Sequence, residues 1–421
     1  MRISTSYFQT LAVNSILDQQ SILSKTQNQV ASGKRVLVPS DDPVATSQLM
    51  QLSQTKATTE QYQANATSAQ NRLNTEEGAL QSVTNLLQRM RELAVQGNNA
   101  TQTNDTRQYL ATEVRQRLGE LLGIANTKDG TGDYIFSGTK NATQPFTYKL
   151  GQGYVYDGSQ AQRFVQIGPG RTIADGDPGS TVFQLVRNGN GTFVSIPDAA
   201  NTGTGITDQG SVVGTFTPSV GAGANGYQVN FFPDPGDGHL VYQVFEASDG
   251  FTTPIDLGNP PVAGVTQADY VEGQPIHFRG AQITITGQPN VGDNFYVRSS
   301  DNQSIFETLD NLATALETPV TDPAQTAALH NSVGRALGDI DQAMNSILTV
   351  RASIGSRLNA IDGQKSVNDD QSTQTTQVIS SIQDLDYAEA VSRLNMQMAG
   401  LQAAQQTFVK VQNLSLFNYL R

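Results

Sequence analysis

The chain of 421 residues contains no cysteine and no tryptophan, and only three histidines. The first absence removes disulfides, thiol chemistry and cysteine-bound zinc together. His239, His277 and His330 form no ligand-spaced pair: the first two lie in strand-and-turn sequence, and the third follows Leu329 on an amphipathic helix. Positive charge is also short. Thirty-eight acidic against 26 basic side chains leave a formal net charge of −12, which opposes a sequence-independent grip on phosphate backbones or anionic lipid. Neither nucleic acid nor membrane is expected as a partner. No apolar run approaches the ~18 residues of a membrane span, and "MRISTSYFQTLAVNSILDQQ" lacks the continuous apolar core of a cleaved signal peptide. The expectation is a cytoplasmic protein or one that leaves the cell without such a peptide.

Catalytic strings are missing as well. No Walker A, HExxH or GxSxG occurs. "PDPGDGH" brings Asp234, Asp237 and His239 together without the oxygen-ligand spacing of a calcium loop. The pairs Asp41-Asp42 and Asp369-Asp370 read more simply as helix caps or solvated polar patches. With no convergent titratable cluster visible, no enzyme, no cofactor and no metal are expected.

What is present is helical periodicity at both ends and strand periodicity between them. Phe8, Leu11, Ile16, Ile22, Leu23 and Val30 fall within one arc of about 140° on a helical wheel, which predicts a first amphipathic helix. "SGKRVLVPSDDP" ends it, with Gly33 as the stop, a short extended link, Asp41 or Asp42 as N-cap and Pro43 in the next first turn. The second helix has no strong breaker before Gly97, so it runs about 80 Å at 1.5 Å per residue. Along it Tyr62, Ala66, Ala69, Leu73, Glu76, Leu80, Val83, Leu87, Met90 and Ala94 alternate steps of four and three, which is a coiled-coil seam. A third helix is expected from Asn104 to Asn126, with Leu110, Val114, Leu118, Leu121 and Ala125 on one face.

From "KDGTGDYIFSG" onward the pattern changes to short alternating strands joined by Gly, Pro and Asp turns, as in "GYVYDGSQAQRFVQIGPG" and "GYQVNFFPDPGDGHLVYQVFEASDG". The first hairpins, to Phe183, are assigned to a helical rod and the rest to a separate antiparallel sandwich. Helices resume at "NQSIFETLDNLATAL", and Asp322 with Pro323 opens a long stripe: Leu329, Val333, Ile340, Met344, Ile347, Ile354, Leu358 and Ile361. "VNDDQSTQTTQ" is expected to loosen it. Tyr387, Val391, Leu394, Met398, Leu401, Gln405 and Phe408 then carry the four-three rhythm of a closing helix.

The predicted fold is therefore α+β: a long α-helical coiled-coil rod made by both termini, with small β-hairpins and an inserted antiparallel β-sandwich. Its expected parts are a terminal coiled-coil domain (1–40 and 375–421), a helical rod with hairpins (41–185 and 300–374) and an inserted β domain (186–299). Both ends are nearly neutral. Residues 1–33 carry only Arg2, Asp18 and Lys25, and residues 380–421 carry three acids and three bases, which leaves the interior at −13. Apolar residues also stand off the main stripes, Val13 and Leu17 at the start and Leu414 and Phe417 at the end. One partner helix cannot cover all of these, and burying each contributes roughly 1.5 to 3 kcal/mol. Heterologous contacts among neighbouring copies would cover them. The expected interface residues are Phe8, Leu11, Ile16, Leu17, Ile22, Leu23, Leu394, Met398, Leu401, Phe408, Leu414, Leu416 and Phe417.

Four separated stretches point to a known family: "SGKRVLVPSDDPVATSQ" (Ser32 to Gln48), "MRELAVQGNNATQTNDTRQYLATEV" (Met90 to Val114), "ELLGIANTKDGTGDYIFSGTKNATQPF" (Glu120 to Phe146) and "LNMQMAGLQAAQQTFVKVQNLSLFNYL" (Leu394 to Leu420). In this order they resemble the bacterial hook-filament junction proteins of the flagellin superfamily. Leu37 departs from that pattern, at a position where the family often has Asn, and the insert is covered by none of these motifs. Flagellin itself shares the nested plan, but "PSDDPVA" and "YIFSGTK" favour the junction type. The resemblance implies an extracellular tubular assembly with both termini in an inner helical layer and the insert outside. It also implies a ring of copies between a first junction protein and flagellin, unfolded export through the flagellar channel, and an export chaperone on the C-terminal helix. A reading from another class is a surface adhesin acting through the β insert.

Overall fold

The computed structural model describes residues 5–221, 225–236 and 238–413. Helices α1 (Thr5–Ser32), α2 (Pro43–Gly97) and α3 (Asn104–Ala125) come first, and α4 (Ile305–Glu317), α5 (Pro323–Gln383) and α6 (Tyr387–Asn413) come last. Between them lie β1 (Phe146–Lys149), β2 (Gly153–Tyr156), β3 (Phe164–Gly168), β4 (Arg171–Ala174), β5 (Val186–Arg187), β6 (Phe193–Pro197), β7 (Ile206–Thr207) and β8 (Ser211–Val212). They are followed by β9 (Tyr227–Pro233), β10 (Leu240–Glu246), β11 (Gln267–Asp269), β12 (Pro275–Phe278), β13 (Ala281–Thr286), β14 (Asn294–Ser299) and β15 (Asn302–Gln303). The α+β fold expected from the sequence is thus the fold observed. Two compact units result: the described residues of 1–66, 167–171 and 362–421 make the first, and those of 67–166 and 172–361 the second.

In the first unit, helix α1 stops where Gly33 takes φ +72° and its amide donates to the Gln29 carbonyl at 2.9 Å. The two neighbouring acids divide the next task. Asp41 accepts the amides of Leu37 and Val38 at 3.1 and 3.2 Å, which shapes the link, and Asp42 caps α2 by accepting the Ala45 amide at 3.0 Å. Val36, Ala45 and Leu49 then bury against Ile379 and Ile382. The expected loosening of α5 at "VNDDQSTQTTQ" does not occur, because the helix continues unbroken to Gln383. The reason is that its polar residues are bonded inward. Buried Asn368 donates to the Ile167 carbonyl at 2.9 Å, Gln364 donates to Asn368 at 2.9 Å and accepts from Arg171 at 3.0 Å, and Gln63 of α2 donates to Asp369 at 3.0 Å.

The second unit has a helical core and a sheet core. The α2 seam residues Ala69, Leu73, Glu76, Leu80, Val83, Leu87, Met90 and Ala94 are all buried, as are Leu329, Val333, Ile340, Ile347, Ile354 and Ile361 on α5. Thr103 caps α3 and Ser304 caps α4, each side-chain oxygen accepting a backbone amide of the first turn. Next to α4 a ring cluster forms: Phe146 lies 5.1 Å from Phe306, Phe136 lies 5.1 Å edge-on to Phe183, and Tyr154 stacks on Phe306 at 4.7 Å. The sandwich consists of a five-stranded sheet, β11-β10-β9-β14-β6, and a second sheet, β12-β13-β7, with β8 also paired to β13. Alternation aims Tyr227, Val229 and Phe231 of β9, Ile283 and Ile285 of β13, and Phe295 and Val297 of β14 into one core. Asp339 and Asn331 of α5 hold the insert's loops: Gly189 donates to the first at 2.7 Å and Thr207 to the second at 2.9 Å. The string "GAGANG" at 221–226 has the spacing of a dinucleotide-binding turn, but it is followed by strand β9 and not by the helix that such a turn opens.

Candidate functional site

Those of the residues singled out for assembly that the structure describes lie on α1 and α6, which pack against each other within the first unit. The pairing is anchored at the link. Arg35 donates its amide to Gln383 at 2.7 Å and its guanidinium to the Ile382 carbonyl at 2.9 and 3.2 Å, while the Leu385 amide donates to Gly33 at 3.0 Å. Asp386 then caps α6 by accepting the amides of Ala388 and Glu389 at 2.9 and 3.2 Å. Further along, the helices approach closely enough that a Cβ on Gly400 would stand 3.7 Å from Gln19 Oε1.

On α6 the inward row is Ala390, Leu394, Gln397, Leu401, Ala404 and Phe408, again in steps of four and three. This differs from the sequence expectation. Leu394, Leu401 and Phe408 are half-buried as anticipated, but Tyr387, Val391, Met398 and Gln405 are exposed. The small side chains of Ala390 and Ala404 take the inside and let the helix turn by one position. On α1 the half-buried or buried residues are Ala12, Ile16, Leu23, Thr26, Gln29 and Val30. Phe8 (56% exposed), Leu11 (51%), Leu17 (56%) and Ile22 (52%) remain outside, as do Val13, Val409 and Val411. At about 100° per residue, Phe8, Leu11 and Ile22 flank the row of Ala12, Ile16, Leu23 and Val30 on one side and Val13 and Leu17 flank it on the other. Leu414, Leu416 and Phe417 lie outside the described residues.

Charge is sparse here. Lys25 pairs with Asp41 at 2.8 Å, and Glu389 with Arg393 at 3.6 Å. The Lys25 ammonium, helped by the Val38 and Leu37 amides, holds the Asp41 carboxyl below its ordinary range. The apolar flanks of α1 therefore carry little polar surface that would resist desolvation. Elsewhere, His239 pairs with Asp269 at 2.7 Å, and His330 meets Asn98 at 2.6 Å with its pKa lowered by burial and by Arg107. Among the described residues no three of His, Asp and Glu gather in a metal-sized cluster, and no helix is long and apolar enough to cross a membrane.

One expectation needs correcting. The sequence showed no convergent titratable cluster, yet the second unit gathers Arg72, Glu76, Asp129, Arg163, Asp175, Asp177 and Arg357, most of them buried. They come from α2, α5 and the 129–177 segment, so spacing in sequence could not reveal them. The available signal was Glu76, a charged residue inside an apolar seam.

Residues 3–141 match the bacterial flagellin N-terminal helical region, and residues 337–420 match the bacterial flagellin C-terminal helical region. The flagellar hook-associated protein 3 of Escherichia coli K12 is 26% identical over 420 residues, covering 99% of both chains. The crystal structure of hook-associated protein 3 from Legionella pneumophila superposes with a TM-score of 0.72 at 31% identity, covering 79% of this chain and 98% of that one. FlgL from Xanthomonas campestris does so with a TM-score of 0.68 at 30% identity, covering 78% and 99%. On the nested helical ends, the four motifs and these full-length likenesses, the chain belongs to the FlgL-type family of hook-associated proteins within the flagellin superfamily.

Proposed function

We propose that the chain is a non-enzymatic structural adaptor that forms a ring of copies joining the hook side of the bacterial flagellum, through a first junction protein, to the flagellin filament. The observation that carries this reading is the apolar surface left uncovered on both flanks of α1 and along α6 after the two helices have paired. Residues 1–40 and 375–421 would form the polymer core, residues 41–185 and 300–374 the helical middle, and residues 186–299 the outward insert. Neighbouring copies would cover Phe8, Leu11, Leu17 and Ile22, burial of each contributing roughly 1.5 to 3 kcal/mol. The full-length likeness to hook-associated protein 3 supports a junction over a filament subunit. Export as an unfolded chain, with a chaperone holding the C-terminal helix until then, fits a pair of apolar helices that would otherwise self-associate.

The test is genetic. Cells lacking the protein should release flagellin into the medium, and a triple variant with Leu11→Ser, Leu17→Ser and Ile22→Ser should fail to restore filaments although it folds. Normal filaments in the deletion strain would sink the proposal.

A further inference from the structure

Glu76 is the charged member of the α2 seam, set between Leu73 and Leu80 in the four-three repeat and, like them, fully buried. Its surroundings are built from ion pairs that do not include it. Arg72 binds Asp129 at 2.6 Å through Nη1 and gives Nη2 to the Tyr134 carbonyl at 2.8 Å. On α5, Arg357 binds Asp177 with one amino group and the Ala174 carbonyl at 3.4 Å with the other. Arg163 binds Asp175 through Nε at 2.9 Å. Beside Glu76 on α2, Glu77 has its own partner in Arg351 at 2.7 Å. Each arginine thus has one acidic partner, and Glu76 is the carboxyl left over.

Its Oε1 accepts the Asp177 amide at 3.1 Å. Its Oε2 has no hydrogen-bond partner among the described residues, and neither does Arg72 Nε. Both atoms face Gly176, where an added Cβ would stand 3.6 Å from each. An ionised Glu76 would be a buried charge with no counter-ion of its own, which costs far more than a buried hydroxyl lacking a partner.

We propose that Glu76 is a neutral carboxylic acid in the folded chain, a proton-binding site under the 175–177 segment that makes folding of the second unit take up one proton. Burial, reinforced by the Asp177 carboxylate, raises its pKa well above the ordinary glutamate value, against the opposing pull of Arg357, the Asp177 amide and Arg72. The sign of the linkage follows. With the folded value above the unfolded one, the stabilisation is complete below the ordinary glutamate range and is lost as pH rises toward the folded value. A polar group at a seam position also fixes register at a cost in stability, and here that cost grows with pH.

The test compares the full chain with Glu76→Gln, which keeps an oxygen for the Asp177 amide and leaves every neighbouring ion pair in place. Hydrogen exchange of the amides from 73 to 80 reads the opening equilibrium of this segment between pH 5 and 8. The ratio of variant to wild-type opening constants should shift by about tenfold per pH unit within the window, the variant gaining as pH rises. A ratio independent of pH overturns the proposal. Infrared difference spectra give a second readout: a protonated-carboxyl carbonyl band at neutral pH in the wild type, lost in Glu76→Gln and equally in Glu76→Leu. A wild-type spectrum without that band overturns the proposal even if one variant fails to fold.

Discussion

At Gly33 the backbone sits at φ +72°, and a Cβ added there would stand 2.8 Å from the Tyr387 hydroxyl. Both constraints act on one residue, so Gly33→Ala should destabilise the α1–α6 link by about 1 to 3 kcal/mol, read as faster hydrogen exchange at the amides of Arg35 and Leu385. Unchanged exchange would mean that the link is held elsewhere. The neighbouring Asp41 gives a pH dependence of the opposite sign to that of Glu76. Its pKa is depressed by Lys25 and by two backbone amides, so its contribution is present above the ordinary carboxylate range and lost as pH falls through the folded value. The amides of Leu37 and Val38, which donate to it, should lose protection on acidification in the wild type, and Asp41→Asn should lack that acid step. Identical profiles in the two proteins would refute the assignment.

At the level of elements, the seams were legible because their periodicity is strict. From Ala66 to Ala94 every position read as inward on α2 is buried, and the Asp-Pro start of that helix was visible as a cap followed by a residue that needs no amide partner. Leu87→Ala should accordingly cost about 2 to 5 kcal/mol, whereas exposed Met50→Ala should stay within about 0.5 kcal/mol; urea denaturation followed by circular dichroism distinguishes them. Two features escaped the sequence for physical reasons. The polar run on α5 looked weak because the partners of Asn368 and Gln364 come from the tip of the β3–β4 hairpin, some 200 residues earlier. Asn368→Ala should strip the Ile167 carbonyl of its donor and cost about 1 to 3 kcal/mol. The α6 row was read one position off at Val391, Met398 and Gln405, since hydropathy favours large residues and the close approach of two helices selects small ones such as Ala390 and Gly400.

Across the whole molecule, helices from the two ends of the chain form one pair, and that pair leaves apolar side chains on its flanks instead of closing over them. The side chains so exposed are the surface that the proposed assembly of neighbouring copies would cover. The absence of cysteine makes this directly measurable, since Leu17→Cys and, as a control, Val291→Cys in the sandwich each introduce a single thiol. Both should react with maleimide in the isolated chain. In assembled flagella the account predicts that position 17 becomes protected while position 291 stays reactive, and position 17 labelling equally fast before and after assembly would contradict it.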